Sequence, residues 1–281
     1  MTRAETEIVA DDESTAAAAR FEADLARDLM SARDGRGTTQ PPTTRAEGFG
    51  LDQDYRVGAA LDRRLRRRGY HPIGCKVGFT NRAIWPRFGL DEPILAPVYD
   101  RTLRLAGPTA EIPIGMFHAP MIEVEVVFGF AQEVADEGRP EWVALGFEIV
   151  DCHYPEWHLT PADSVADFGL HGALVVGRPV NVRQPGFDER VARLDDLEVR
   201  LFRNETPVAR GRGSDVLGHP LAALEFVPRL LPRFAGQEDS PAGGVVSTGT
   251  MTALEPLSPG ERWRVEAAGV DLPGMEIVLT R

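Results

Sequence analysis

The stretch MIEVEVVFGF, residues 121–130, places two glutamates inside a run that is otherwise apolar. Successive side chains of a β-strand point to opposite faces, so alternate positions share a face. One face would then be continuously apolar, with Ile122, Val124, Val126, Phe128 and Phe130. Glu123 and Glu125 would lie together on the other face, which raises the question of what neutralises them.

A third acid stands in a similar setting in ALGFEIVD, residues 144–151, where Glu148 lies on the face opposite Phe147 and Ile149. Carboxylates without nearby histidine or cysteine ligands suit a hard divalent cation such as Mg²⁺ or Mn²⁺. We therefore predict a metal site at Glu123, Glu125 and Glu148. The alternative is that Glu123 and Glu125 form the solvent side of an edge strand.

Lys76 is the single lysine among 31 basic side chains. Codon bias towards arginine with one chance survivor would explain this, but so would a position where arginine cannot serve. An ammonium group is compact and its pKa responds strongly to burial, whereas a guanidinium stays charged. The flanking HPIGCKVGFT indicates a buried strand that runs into a tight turn.

Composition excludes several classes of function. The net charge of −12 disfavours nucleic acid and acidic membrane surfaces as partners. The basic run Arg63–Arg68 ends a helical segment, where cations are favourable. We find no signal peptide, no membrane span and no disulfide or zinc pattern at Cys75 and Cys152, so we expect a cytoplasmic protein.

The order of elements predicts an α+β fold. Residues 1–20 are expected to be disordered, residues 21–69 to form an N-terminal helical section with helices near 21–33 and 52–68, and residues 70–281 to form a β-rich catalytic domain. Short strands with one helix near 219–233 argue against a doubly wound sheet. Nucleotide-binding and serine-hydrolase motifs are missing from the sequence.

Seven motifs occur in an order that resembles the 2-keto-4-pentenoate hydratase / 2-oxo-3-hexenedioate decarboxylase family of the fumarylacetoacetate hydrolase superfamily. The resemblance covers about residues 50–281. The motifs are KVGFT (76–80), GLDEP (89–93), PMIEVE (120–125), FEIVD (147–151), DSVAD (163–167), GHPLAAL (218–224) and STGTMT (247–252).

The resemblance implies a mixed β-sandwich or roll of the fumarylacetoacetate hydrolase C-terminal type, assembled into homo-oligomers. It implies that Glu123, Glu125 and Glu148 bind Mg²⁺ or Mn²⁺ and that Lys76 and Asp91 act on the substrate. It also implies that the pocket wall and the carboxylate end of the substrate involve Asp163, Asp167, Gly249 and Thr250.

This sequence departs from the family where Phe168-Gly169-Leu170-His171 follows DSVAD, in place of asparagine and small hydroxyl residues. His171 is therefore a candidate substrate-binding residue, with a structural histidine as the alternative. For His118 we favour the structural role. The bulky segment 152–163 indicates a remodelled pocket wall.

The expected activity is metal-dependent hydration of a 2-hydroxy-2,4-dienoate (a 2-oxo-alkenoate in its keto form) to a 4-hydroxy-2-oxo acid in aromatic catabolism. Three alternatives stay open. They are decarboxylation of a 2-oxo diacid, for which Arg82 or Arg87 would hold the second carboxylate, hydrolytic C–C cleavage of an acylpyruvate, and a weakly active partner subunit of a related enzyme.

Overall fold

The computed structural model describes residues 3–46, 49–107, 109–131, 139–234 and 244–281, with side chains from residue 16 onward. Its helices are α1 (Arg3–Gly35), α2 (Pro42–Arg45), α3 (Leu51–Arg67), α4 (Trp85–Phe88), α5 (Pro161–Ala166), α6 (Phe187–Ala192) and α7 (Val227–Phe234). None of the described helices is both long enough and apolar enough to cross a lipid bilayer.

The strands fall into a larger and a smaller sheet. In chain order they are β1 (Pro72–Gly78), β2 (Ile94–Tyr99), β3 (Leu103–Leu105), β4 (Thr109–Pro113), β5 (Pro120–Phe130), β6 (Trp142–Asp151), β7 (His171–Val176), β8 (Val180–Asn181), β9 (Glu198–Arg203), β10 (Thr206–Arg212), β11 (Gly244–Thr250), β12 (Glu255–Pro256), β13 (Arg262–Ala268) and β14 (Met275–Thr280). The larger sheet runs β2-β1-β11-β5-β6-β7-β3, with β12 on β5 and β8 on β6, and the smaller runs β10-β9-β13-β14-β4.

The α+β prediction is confirmed, and the two faces of the larger sheet have different partners. The face with Ile122, Val124 and Val126 packs against the smaller sheet in a core that includes Leu201 and Trp263. The opposite face packs against helices α1, α3 and α5. The glutamates therefore project from the face opposite the core between the sheets, between Met121, which packs against the helical cluster, and Val127, which belongs to a smaller cluster with Val98 and Leu174.

Strand β5 lies in the interior of the larger sheet, between β11 and β6. The edge-strand interpretation of Glu123 and Glu125 is therefore wrong. The period-two prediction is right, because Ile122, Val124 and Val126 are fully buried on the face opposite the glutamates. Strand β2, which contains Pro97, lies at the edge of the larger sheet, where proline is tolerated.

The N-terminal section is helical, as predicted, although its first helix begins at Arg3 and so includes residues assigned by sequence to a disordered terminus. Helix α3 spans Leu51–Arg67, close to the predicted 52–68. The predicted helix near 219–233 is instead a 3₁₀ segment, Pro220–Phe226, followed by α7. Pro228 lies just after the junction of the two segments and lacks the amide donor that a continuous α-helix would need there. The domain boundaries at 20 and 69 stay a prediction.

A turn in β11 depends on a glycine. The register between β11 and β5 shifts between Ser247 and Thr250, and Gly249 has φ of +98°. A Cβ at this position would lie 2.0 Å from Thr80 Oγ1. The irregularity carries the chain past Thr80 and brings the Gly249 amide to Glu125.

We expect Gly249→Ala to destabilise the fold more than Gly260→Ala, which has a φ of +88° but open space around the Cβ position. Both variants place a side chain at a positive φ and are strained by it. Only Gly249→Ala also overpacks its surroundings, which costs about 1–3 kcal/mol. Equilibrium denaturation in urea would measure both. Equal losses of unfolding free energy would contradict the close packing at Gly249.

Candidate metal centre

Three carboxylates meet on the helix-covered face of the larger sheet. Glu123 on β5 is paired directly with Glu148 on β6, and Glu125 follows two residues along β5. One oxygen from each lies within 4.8 Å of the others. Glu125 and Glu148 are buried, and Glu123 is partly buried. Oxygen donors grouped in this way fit the ligand set that Mg²⁺ or Mn²⁺ prefers.

Glu148 is held by two basic side chains. Lys76 Nζ on β1 lies 3.2 Å from Oε2, and His171 Nδ1 lies 2.8 Å from Oε1. The other ring nitrogen of His171 lies 2.9 Å from Thr102 Oγ1. Both oxygens of Glu148 are thus oriented, and both nitrogens of His171 have partners.

Glu125 is oriented from β11. The Ser247 hydroxyl and the Gly249 amide both donate hydrogen bonds to Glu125 Oε2. Strand β11 pairs in parallel with β1, which places Ser247 beside Lys76. Next to Gly249, the hydroxyl of Thr80 is buried and has no hydrogen-bond partner among the described residues. An unpartnered buried hydroxyl is costly, so a ligand that satisfies it would be favoured.

The electrostatics of the cluster divide the three carboxyls into two kinds. Burial, together with the charge of Glu148, raises the pKa of Glu123 to about 8. Burial also raises the pKa of Glu125 well above its usual value, with Glu148 and Glu123 adding to the effect. Burial acts the same way on Glu148, but Lys76 and His171 outweigh it and hold its pKa below the usual value.

The two basic neighbours of Glu148 carry different charges. Burial lowers the pKa of Lys76, but the attraction of Glu148, Glu123 and Glu125 outweighs burial, so the net pKa is raised and the ammonium stays charged. Burial lowers the pKa of His171 by more than the contact with Glu148 raises it, so the net pKa is lowered and the ring is neutral at neutral pH. Without a metal, the site therefore contains one ion pair and two protonated carboxyls.

A second buried network supports the end of β6. His153 lies between two acids, with Nδ1 2.7 Å from Asp167 and Nε2 3.2 Å from Asp151. Arg33 on α1 pairs with Asp167 at 2.8 Å and donates to the backbone carbonyl of His171. These contacts tie the helical layer to the strand that contains Glu148. The sequence prediction had identified Asp167 but neither His153 nor Arg33.

The remaining predicted residues lie in varied settings. Asp91 is exposed in the turn before β2. Asp163 is buried, and its oxygens accept hydrogen bonds from Thr43 and Thr160, so it completes the capping box of α5, whose N-cap is Thr160. Thr250 Oγ1 bonds to the backbone of Thr252. His118 Nδ1 lies 2.8 Å from the carbonyl of Arg36. Substrate roles for Asp91, Asp163, Gly249 and Thr250 stay predictions.

Comparison with known proteins supports the predicted resemblance, although no family model matches the chain. The chain is 26% identical over 230 residues to a 2-keto-4-pentenoate hydratase of Paraburkholderia xenovorans, and the match covers 78% of this chain and 81% of the relative. It is 25% identical over 250 residues to a 2-hydroxyhexa-2,4-dienoate hydratase of Comamonas testosteroni (86% and 90%). It is 27% identical over 226 residues to a 4-oxalocrotonate decarboxylase of Pseudomonas sp. CF600 (77% and 81%).

Among solved structures, the 4-oxalocrotonate decarboxylase of Pseudomonas putida G7, complexed with magnesium and adipate, superposes with a TM-score of 0.79. The two sequences are 25% identical, and the match covers 92% of this chain and 97% of that one. The same decarboxylase complexed with calcium and acetate gives a TM-score of 0.78.

Metal binding should release protons at neutral pH. Glu123 and Glu125 hold protons in the metal-free protein at pH 7, and a metal requires their carboxylates, so binding of Mn²⁺ should release about two protons. Affinity should therefore rise as the pH increases towards about 8. Calorimetric titrations in buffers of different ionisation enthalpy would count the protons.

Two variants make this measurement specific. Glu123→Gln should release about one proton fewer, because one of the two protonated carboxyls is gone. Glu111→Gln, which changes an exposed acid on β4, should leave the count unaltered. Heats that do not depend on the buffer would show that the buried carboxyls are already ionised, contrary to the electrostatic description.

Proposed function

We propose that this chain, a homologue of the 2-keto-4-pentenoate hydratases and 4-oxalocrotonate decarboxylases within the fumarylacetoacetate hydrolase superfamily, is a hydratase. Its substrate would be a 2-hydroxy-2,4-dienoate, and its product a 4-hydroxy-2-oxo acid. The observation that carries the proposal is the convergence of Glu123, Glu125 and Glu148 at a buried position beside Lys76. Named hydratases are among the relatives over most of the chain.

The three glutamates would hold Mg²⁺ or Mn²⁺, which would supply Lewis-acid stabilisation of negative charge at the C2 oxygen of the substrate. Ser247 and the Gly249 amide orient Glu125, and His171 orients Glu148. The unpartnered hydroxyl of Thr80 beside Gly249 offers a donor for the substrate carboxylate. This agrees with the substrate role predicted for the Gly249–Thr250 segment.

Lys76 would act as a charged group that stabilises the developing enolate. Its pKa is raised by the surrounding glutamates, so the resting lysine is an ammonium and cannot accept a proton. The contact with Glu148 favours the role of a cation over that of a base. A role for Asp91 would require a change from its exposed position.

Hydration is favoured over decarboxylation by the charges around the cluster. A 2-oxo diacid brings a second carboxylate that needs its own cation. Among the described residues, the cation that contacts the glutamates is Lys76, which is already paired with Glu148. Arg82 and Arg87, the predicted alternatives, are exposed and lie over the rings of Trp85 and Phe88.

The direct test is turnover of enzymatically generated 2-hydroxypenta-2,4-dienoate by the purified protein with Mg²⁺. Loss of dienol absorbance and a product heavier by one water would support hydration. Glu125→Gln should reduce kcat by at least about 100-fold, the scale for loss of transition-state charge stabilisation. The exposed Glu111→Gln is the matched control and should turn over normally. Full activity in a chelator, or CO₂ release from 2-oxo-3-hexenedioate without hydration, would refute the proposal.

The charge on Lys76 can be tested separately. Lys76→Met keeps the aliphatic stem and removes the ammonium, so we expect kcat to fall by about 100-fold or more while the fold is retained. In the wild-type enzyme, kcat should not depend on deprotonation of Lys76 near neutral pH, because its pKa is raised. A methionine variant with normal kcat would show that the ammonium has no catalytic role.

A further inference from the structure

A pocket lies against the side of the His171 ring that faces away from Glu148. His171 Nδ1 faces Glu148, whereas Nε2 faces Thr102, and Thr102 and His171 both line a cavity of about 160 Å³ between the helical layer and the β2–β3 turn. The carboxylate cluster does not line this cavity. The imidazole ring thus lies between Glu148 of the cluster and this cavity, and both of its nitrogens have partners.

The walls of this pocket are rich in arginine, although the whole chain carries a net charge of −12. Its cationic lining residues are Arg33, Arg68, Arg101 and Arg104. Two of them are neutralised by carboxylates, since Arg68 pairs with Asp34 at 2.8 Å and Arg33 pairs with Asp167 at 2.8 Å. Local positive charge on an acidic protein marks a place where an anion can be held.

Arg101 and Arg104 have a different environment. Neither forms an ion pair with a carboxylate in the part of the chain that the structure describes. The Arg101 guanidinium lies over the Tyr70 ring at 4.8 Å, and Arg104 donates to the backbone carbonyls of Arg101 and Leu103. Ring stacking and backbone bonds hold both cations at the pocket while leaving guanidinium donors unused.

The acids that line the pocket do not offset these two charges. Asp34 is paired with Arg68. Asp151 accepts hydrogen bonds from the amides of His118 and Ala119 and lies 3.2 Å from His153. Neither acid that lines the pocket would therefore compete with an entering anion for the donors of Arg101 and Arg104. Asp100, the exposed neighbour of Arg101 in the chain, lies outside the lining and accepts a hydrogen bond from the amide of His71.

We propose that this arginine pocket binds a small oxyanion, a carboxylate or a phosphate, through Arg101 and Arg104. Guanidinium groups pair with both kinds of anion through two parallel hydrogen bonds, and the volume suits a ligand of a few heavy atoms. The site is separate from the carboxylate cluster, and the proposal does not depend on the reaction proposed above.

The test is calorimetric titration of the full-length, Mg²⁺-loaded protein with inorganic phosphate and, separately, with succinate, at constant ionic strength. Saturable binding of at least one anion is expected. The double variant R101Q/R104Q should bind that anion at least tenfold more weakly. The control R178Q/R210Q removes the same charge at two exposed arginines that do not line the pocket, and should bind as the wild type does.

The phosphate and succinate titrations together identify the chemical class of the ligand. Weakened binding of phosphate alone would indicate a phosphate site, and weakened binding of succinate alone a carboxylate site. The proposal would be overturned if neither anion saturates the wild-type protein, or if R101Q/R104Q binds both as tightly as the control does. Far-UV circular dichroism of both double variants would verify that they are folded, which their exposed positions lead us to expect.

Discussion

Three carboxylates under an apolar layer cannot all keep their charge without a cation, and the surroundings of Glu123, Glu125 and Glu148 follow from this constraint. Like charges directly opposite each other on adjacent strands repel, and burial strengthens the repulsion. In the metal-free protein this repulsion is reduced because Glu148 pairs with Lys76 and because the pKa values of Glu123 and Glu125 are raised. Such a site is electrostatically unsatisfied in a way that a divalent ion would relieve, because the ion can displace the protons of Glu123 and Glu125.

The fold supplies this arrangement through two separate devices. Alternation along β5 and its register with β6 bring the three carboxylates together, while the opposite face of both strands packs into the core between the sheets. Strand β11 then adds the groups that orient Glu125, and its irregularity at Gly249 lets the backbone amide approach. Helices α1, α3 and α5 pack on the same side of the sheet, and Arg33 joins that layer to the end of β6 through Asp167 and His153.

The sequence was informative where chemistry follows from local spacing. The separation of Glu123 and Glu125 by one residue predicted their common face, and the repeated setting of Glu148 predicted its convergence with them. Contacts between distant segments were not accessible in this way. Ser247 meets Glu125 only because β11 inserts between β1 and β5, and no pattern within STGTMT reveals that pairing. The contacts of Thr102 with His171 and of His153 with Asp167 were not predicted for the same reason, since these partners are distant in sequence. Asp163 was predicted at the pocket, but the structure shows that its oxygens bond to Thr43 and Thr160, which a motif cannot distinguish from substrate contacts.

The single lysine of the chain can be understood from the space around it. A methyl group placed on Gly169 would lie 2.6 Å from Lys76 Cε, closer than van der Waals contact allows, so the Lys76 side chain packs directly against Gly169. Gly169, with φ of +59°, stands between Phe168 and Leu170, which also have positive φ. Three successive residues beside this lysine therefore adopt a backbone conformation that L residues rarely take. A planar guanidinium is wider than an ammonium and would need further donors satisfied at its rim. The close contact of Gly169 with Lys76 Cε therefore limits the space for a wider head group at position 76, and residues 168–171, where the sequence departs from the family, are part of this packing.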